Sequence, residues 1–140
     1  MFTRTYTVKG EDVNDFMVMQ NAAYLKYASK IVDTFLFVKG FTNLKMNTLK
    51  VGIQKNNDQI KHYAHLMFTQ PFTVQLEFKE LGLCEQKMKV AIHFCNDKNK
   101  VLSSVERELF WFDYTSWQTI VPPKAISKYF SQKENYKRVG

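Results

Sequence analysis

The sequence predicts an α+β fold: a curved antiparallel sheet of about five strands wrapped around one long helix. Three observations carry this. Only the stretch from about Gln20 to Val38 has a long helical period. From Gln59 to Tyr114, apolar residues recur at every second position through successive segments. Finally, 12 Phe and 7 Tyr in 140 residues give an aromatic load that suits a packed, sheet-rich body and excludes a disordered chain.

In chain order, Phe2, Tyr6 and Val8 alternate with threonines in a first strand that Gly10 ends. In the helical stretch Ala28, Ile31, Val32 and Phe35 form an apolar face, Lys26, Lys30, Asp33 and Thr34 fall largely opposite, and Gly40 is a natural stop. Residues 41–58 carry no clear period, and Lys55, Asn56, Asn57 and Asp58 read as a turn. His62, Ala64, Leu66 and Phe68 place a strand over Gln59–Gln70, stopped at Pro71. Phe72, Val74, Leu76 and Phe78 define the next strand, which turns at Gly82. Met88, Val90, Ile92 and Phe94 define another, and Asn96–Lys100 is a hairpin loop into a last strand over Val101–Tyr114. Pro122 and Pro123 end the sheet region, and Lys124–Phe130 suits a short helix.

At 140 residues the chain is long enough for one core and short for two, so it reads as a single domain over 1–130 with a basic tail at 131–140. A single helix cannot shield so many aromatic strand positions, so a second subunit extending or backing the sheet is expected. The net charge of +7 suits a phosphate-bearing partner, but the lysines are scattered and no nucleic-acid recognition motif is present. Cys84 and Cys95 have neither a CxxC pattern nor a histidine at ligand spacing, so neither a disulfide framework nor a metal site is indicated. No apolar run approaches a membrane span and no signal peptide is visible, so a soluble, cytoplasmic protein is expected.

The chemistry centres on residues 11–27, EDVNDFMVMQNAAYLKY, where a polar loop with Asn14 and Asp15 feeds a helix start near Gln20 and Asn21. A first helical turn leaves backbone N–H groups without intrahelical partners, and these favour negative charge. An oxyanion formed in acyl transfer suits such a place, and so does ordinary capping. His62, His65 and His93 lie in strand patterns with no Ser or Cys nearby in a triad order, which points to packing. Tyr24 and Tyr27, at helical spacing, suit packing as well.

The same stretch resembles the approach to the central helix, E/F-D-x-D-A-x-G-x-V-N-N-A-x-Y-L-x-Y, of the hotdog-fold acyl-CoA thioesterases of the 4-hydroxybenzoyl-CoA thioesterase-like branch. FTQPF at 68–72 is similar to that family's Y-L-R-P-L strand junction; Leu81, Gly82, the final strand and the IVPP exit continue the likeness, which runs from Thr3 to Ile126. The resemblance implies hydrolysis of acyl-CoA or acyl-carrier protein thioesters without metal or any cofactor beyond the CoA of the substrate. It also implies a homodimer or homotetramer with active sites between subunits. On this chain the polarising N–H groups would lie near Asn21, with Gln20, Tyr24 and Thr69 toward the substrate. The family's catalytic Asp falls on Asn14, and an amide neither accepts a proton nor attacks as a carboxylate does. Asp15 is then the candidate base, with Asn14 orienting the thioester or a water, and Asp33 a lesser candidate. Met17 and Val18 replace the family's small and polar residues ahead of the helix, and Ser29 and Lys30 stand where it often has paired Glu. The alternative is a non-hydrolytic hotdog protein that binds acyl thioesters or supports a partner enzyme.

Overall fold

A computed structural model of the chain describes residues 1–82 and 84–132. Strand β1 spans Phe2–Thr7, helix α1 Asn21–Val38, helix α2 Asn43–Leu49 and strand β2 Val51–His62. Strands β3, β4 and β5 follow at Pro71–Gly82, Lys87–Cys95 and Val101–Asp113. The short elements β6 (Gln118–Ile120), α3 (Lys124–Ser127) and β7 (Ser131–Gln132) close the described chain. The main sheet order is β1-β3-β4-β5-β2, with β6 beside β5 and β7 beside β3. Three consecutive strands thus form the meander that the alternation predicts, and β1 and β2 lie at its two ends.

The chain divides into two compact units. The first comprises Met1–Phe35, Gln59–Glu77 and Ala91–Glu106. Its core is the buried stripe of α1, where Tyr24, Tyr27, Ala28 and Ile31 recur at helical spacing and meet alternate residues of the strands. The Tyr27 ring sits edge-on to Phe72 at 5.1 Å, the Tyr24 ring edge-on to Phe94 at 5.0 Å, and Phe2 packs on Phe35 at 5.5 Å. Strand β1 is fixed by its antiparallel register on β3, Phe2 opposite Leu76 through Thr7 opposite Pro71.

The second unit comprises, among the described residues, those of Leu36–Asp58, Phe78–Val90 and 107–132. Here α1 ends as Gly40 predicts: Gly40 takes φ +91°, and the Phe41 N–H reaches back to the Leu36 carbonyl at 2.8 Å, a Schellman closure. Helix α2 follows, capped by Thr42, whose hydroxyl accepts the Lys45 N–H. It ends at Lys50 in the left-handed region, and only Met46 of its seven residues is buried. Arg107 on β5 is 2% exposed and holds Asp58 on β2 through Nε and Nη2, at 2.7 and 3.0 Å.

Several sequence expectations are corrected. The polar run 55–58 is not a turn but the middle of β2, with a local kink at Asn57 (φ +53°). An edge strand is polar along its length because one side of it faces water, and turn-rich residues mimic that. The strand expected over Gln59–Gln70 stops at His62. Beyond it the Tyr63 and Ala64 N–H groups both bond the Leu102 carbonyl, and Leu66 is drawn inward by the Tyr24 hydroxyl. The helix expected over Lys124–Phe130 is the single turn of α3. Of the tail expected at 131–140, Ser131 and Gln132 pair in parallel with Glu80 and Leu81 of β3, and the rest lies outside the described residues.

Candidate functional site

The loop before α1 is built around Asp12, a carboxylate that the fold buries almost completely. It accepts hydrogen bonds from Lys26 Nζ (2.7 Å), the Tyr27 hydroxyl (2.7 Å) and the Lys9 N–H (3.1 Å). Burial alone pushes its pKa up, but these donors outweigh burial and hold it below the usual carboxylate range. Tyr27 moves the other way: burial, then the adjoining carboxylate, push its hydroxyl well above the ordinary value. Because Lys26 and Tyr27 belong to α1, Asp12 ties the loop to the helix and fixes where the helix begins.

Gln20 completes that start. Its N–H donates to the Asp12 carbonyl, its Nε2 to the Val13 carbonyl, and its own carbonyl accepts the Ala23 and Tyr24 N–H groups. The side chain expected near substrate therefore braces the loop. Among the described residues, neither the Asn21 nor the Ala22 backbone N–H has a protein acceptor. These two exposed groups are the orphan donors of the first turn.

Asn14 makes its side-chain bonds within its own turn. Its Oδ1 accepts the Phe16 N–H at 2.9 Å and the Val18 N–H at 3.2 Å, closing a tight turn in which Met17 takes φ +63°. Asp15 is exposed at the tip of the same turn. Tyr24 is 0% exposed, and its hydroxyl accepts the Leu66 N–H, so it packs in the core. Thr69 is exposed at φ +70°, its N–H on the Val8 carbonyl, in the turn leading to β3.

What stands beside the helix start is a histidine. His62, the last residue of β2, has Nε2 2.8 Å from Asn21 Oδ1 and Nδ1 2.7 Å from Ser103 Oγ on β5. Ser103 in turn donates to the Ala64 carbonyl at 3.2 Å, and it is 0% exposed. The His62 ring lies edge-on to Tyr24 at 4.8 Å and close to His65 at 4.6 Å. Burial, and then the proximity of His65, lower its pKa, so His62 is neutral at pH 7. The sequence assigned this histidine to packing, since it lies in a strand pattern with no Ser or Cys nearby in a triad order; its partners lie 41 residues away in either direction.

A second histidine network occupies a different surface of the same unit. His93 joins Ser104 Oγ at 2.8 Å to Glu77 Oε1 at 2.7 Å across neighbouring strands. A cavity of about 470 Å³, lined by Tyr63, His93, Ser104 and Glu106 among others, adjoins it. Among the described residues no group of three His, Cys, Asp or Glu side chains is placed to hold a metal ion. None of the described helices is long and apolar enough to cross a membrane.

Residues 8–130 match the model of the thioesterase-like superfamily, and the chain belongs to that superfamily. Solved structures agree on the fold. A hypothetical protein of Staphylococcus aureus, characterised in complex with CoA, is 18% identical, aligns over 91% of this chain and 79% of its own, and gives a TM-score of 0.81. A gentisyl-coenzyme A thioesterase is also 18% identical, over 89% of this chain and 98% of its own, with a TM-score of 0.77. A 1,4-dihydroxy-2-naphthoyl-CoA thioesterase from Synechocystis is 10% identical, over 89% and 90%, with a TM-score of 0.77. No curated protein matches the sequence. The fold is the hotdog fold, an antiparallel sheet of five strands curved around one long helix.

Proposed function

We propose that the protein hydrolyses acyl thioesters, of CoA or of an acyl-carrier protein, with the carbonyl oxygen polarised by the Asn21 and Ala22 N–H groups. Membership of the thioesterase-like superfamily supports the reaction class, as does a structural neighbour solved with CoA. The observation that carries the mechanism is the pair of unpartnered N–H groups at the start of α1, held in place by the Asp12 and Gln20 bonds. Donors fixed before the reaction need no reorganisation as charge develops, and each contributes about 3 kcal/mol in the transition state. Surface lysines would meet the phosphates of CoA, and assembly as a homodimer or homotetramer would complete the site between subunits, in the cytoplasm. No metal or further cofactor enters this reading.

The test is thiol release across a panel of short, medium, long and aromatic acyl-CoA esters. Turnover with at least one class is expected; none above background would overturn the reading. One observation favours a second reading: Asn14 stands where the family's catalytic carboxylate falls. A non-hydrolytic thioester-binding protein would then bind acyl-CoA saturably without releasing thiol.

A further inference from the structure

The proposed hydrolysis needs a group to take the proton of the attacking water, and Asn14 cannot be it. We infer that His62 is that general base, with Nε2 as the accepting atom and Ser103 as the residue that sets its tautomer. The inference rests on the thioesterase reading above.

The argument is a count of donors and acceptors around one ring. Ser103 has a single hydroxyl proton and two neighbours, the Ala64 carbonyl at 3.2 Å and His62 Nδ1 at 2.7 Å. A carbonyl can only accept. If Ser103 donates to Ala64, Nδ1 must carry the proton and donate to Ser103 Oγ; Nε2 is then an acceptor, and the Asn21 amide must turn its NH₂ toward it in place of the Oδ1 that stands there. If Ser103 donates to Nδ1 instead, Nε2 carries the proton and donates to Asn21 Oδ1, and the Ala64 carbonyl loses its bond from Ser103. With the amide so turned, the first arrangement makes one more protein hydrogen bond, and the wholly buried Ser103 hydroxyl makes two bonds in place of one. Neutral His62 therefore carries its proton on Nδ1, and its lone pair is on Nε2, the nitrogen that faces the first residue of α1.

Asn21 suits both states of this nitrogen. A side-chain amide offers either its NH₂ or its oxygen at nearly the same point after a half turn. Before reaction the NH₂ donates to Nε2, or gives way to a water. Afterwards Oδ1 accepts from the imidazolium, at the 2.8 Å separation seen here. The rings beside it are that of Tyr24, whose hydroxyl is bonded to the Leu66 N–H, and that of His65. Among the described residues no carboxylate is bonded to the ring or stacked on it, so none of them holds the imidazole charged.

The step balances as follows. The water oxygen bonds to the thioester carbon as one water proton passes to Nε2, and the carbonyl electron pair becomes the oxyanion held by the Asn21 and Ala22 N–H groups. The oxyanion then collapses and the C–S bond breaks. The leaving sulfur takes the proton back from Nε2, giving a carboxylic acid and a thiol.

Two measurements decide it. In ¹⁵N NMR of imidazole-labelled protein at pH 8, His62 is expected to show a protonated Nδ1 and an unprotonated Nε2; the opposite tautomer overturns the inference without bearing on thiol release. In the thiol-release assay, His62→Gln is expected to lower kcat by about 10²-fold or more at little change in KM. Ser103→Ala, which frees the tautomer, should lower kcat and be rescued by Ser103→Thr. Wild-type turnover that His62→Gln leaves intact removes the base and spares the thioesterase. Absence of wild-type turnover on every ester removes the thioesterase reading, and the base with it.

Discussion

Asn14 commits its side-chain oxygen to its own turn, and this separates its role from that of the carboxylate whose position it takes. An Asp in the same place offers the same acceptor to the Phe16 and Val18 N–H groups, whereas Ala offers none. Asn14→Asp is therefore expected to leave chemical stability within about 0.5 kcal/mol of wild type. Asn14→Ala should cost about 1 kcal/mol, both read by urea denaturation. Asp12 answers to pH in the way expected of a depressed carboxylate. Its folded pKa lies below the unfolded value, so its contribution is complete above about pH 4 and is lost as pH falls through the folded pKa. Asp12→Asn should remove about 2 kcal/mol at pH 7 and flatten the acid side of the stability profile. His62 also has a lowered pKa, but it is a base: the folded state resists its protonation, so stability falls as pH drops below the unfolded value of 6.5.

The elements differ in how far local sequence could specify them. Helix α1 and strands β3, β4 and β5 were legible because each buries one face of a regular period: Tyr24, Tyr27, Ala28 and Ile31 on the helix, Phe72, Val74 and Leu76 on β3. Helix α2 was not legible, since a seven-residue helix with only Met46 buried leaves no period to read. The true extent of β2 was hidden for a related reason: its polar middle is that of an edge strand and imitates a turn. Its attachment to β5 through Arg107 and Asp58 can be tested. Asp58→Ala removes a bidentate carboxylate from a buried guanidinium and should cost about 3 kcal/mol. At the end of α2, Lys50 sits at φ +57°, where glycine is unstrained. Lys50→Gly should raise stability by about 0.5–1 kcal/mol, visible as a higher denaturation midpoint.

At the scale of the whole molecule, the proposed site is made of residues that only the fold assembles. The helix start at Asn21 could be found in the sequence, because a polar loop there gives way to a helical period. The group beside it could not, because His62 and Ser103 meet Asn21 only through the pairing of β2 with β5 at the far end of the sheet order. No local pattern encodes a contact across 41 residues. The loss of a carboxylate at position 14 thus need not mean the loss of a base, since the sheet brings a neutral imidazole to the same helix end.

The most direct measurement is thiol release from a responsive acyl-CoA ester as a function of pH, for the wild type and for His62→Gln. The account predicts a wild-type rate that falls on the acid side with a midpoint below 6.5, and a His62→Gln rate about 10²-fold lower without that limb. A wild-type acid limb that persists unchanged in His62→Gln would contradict it.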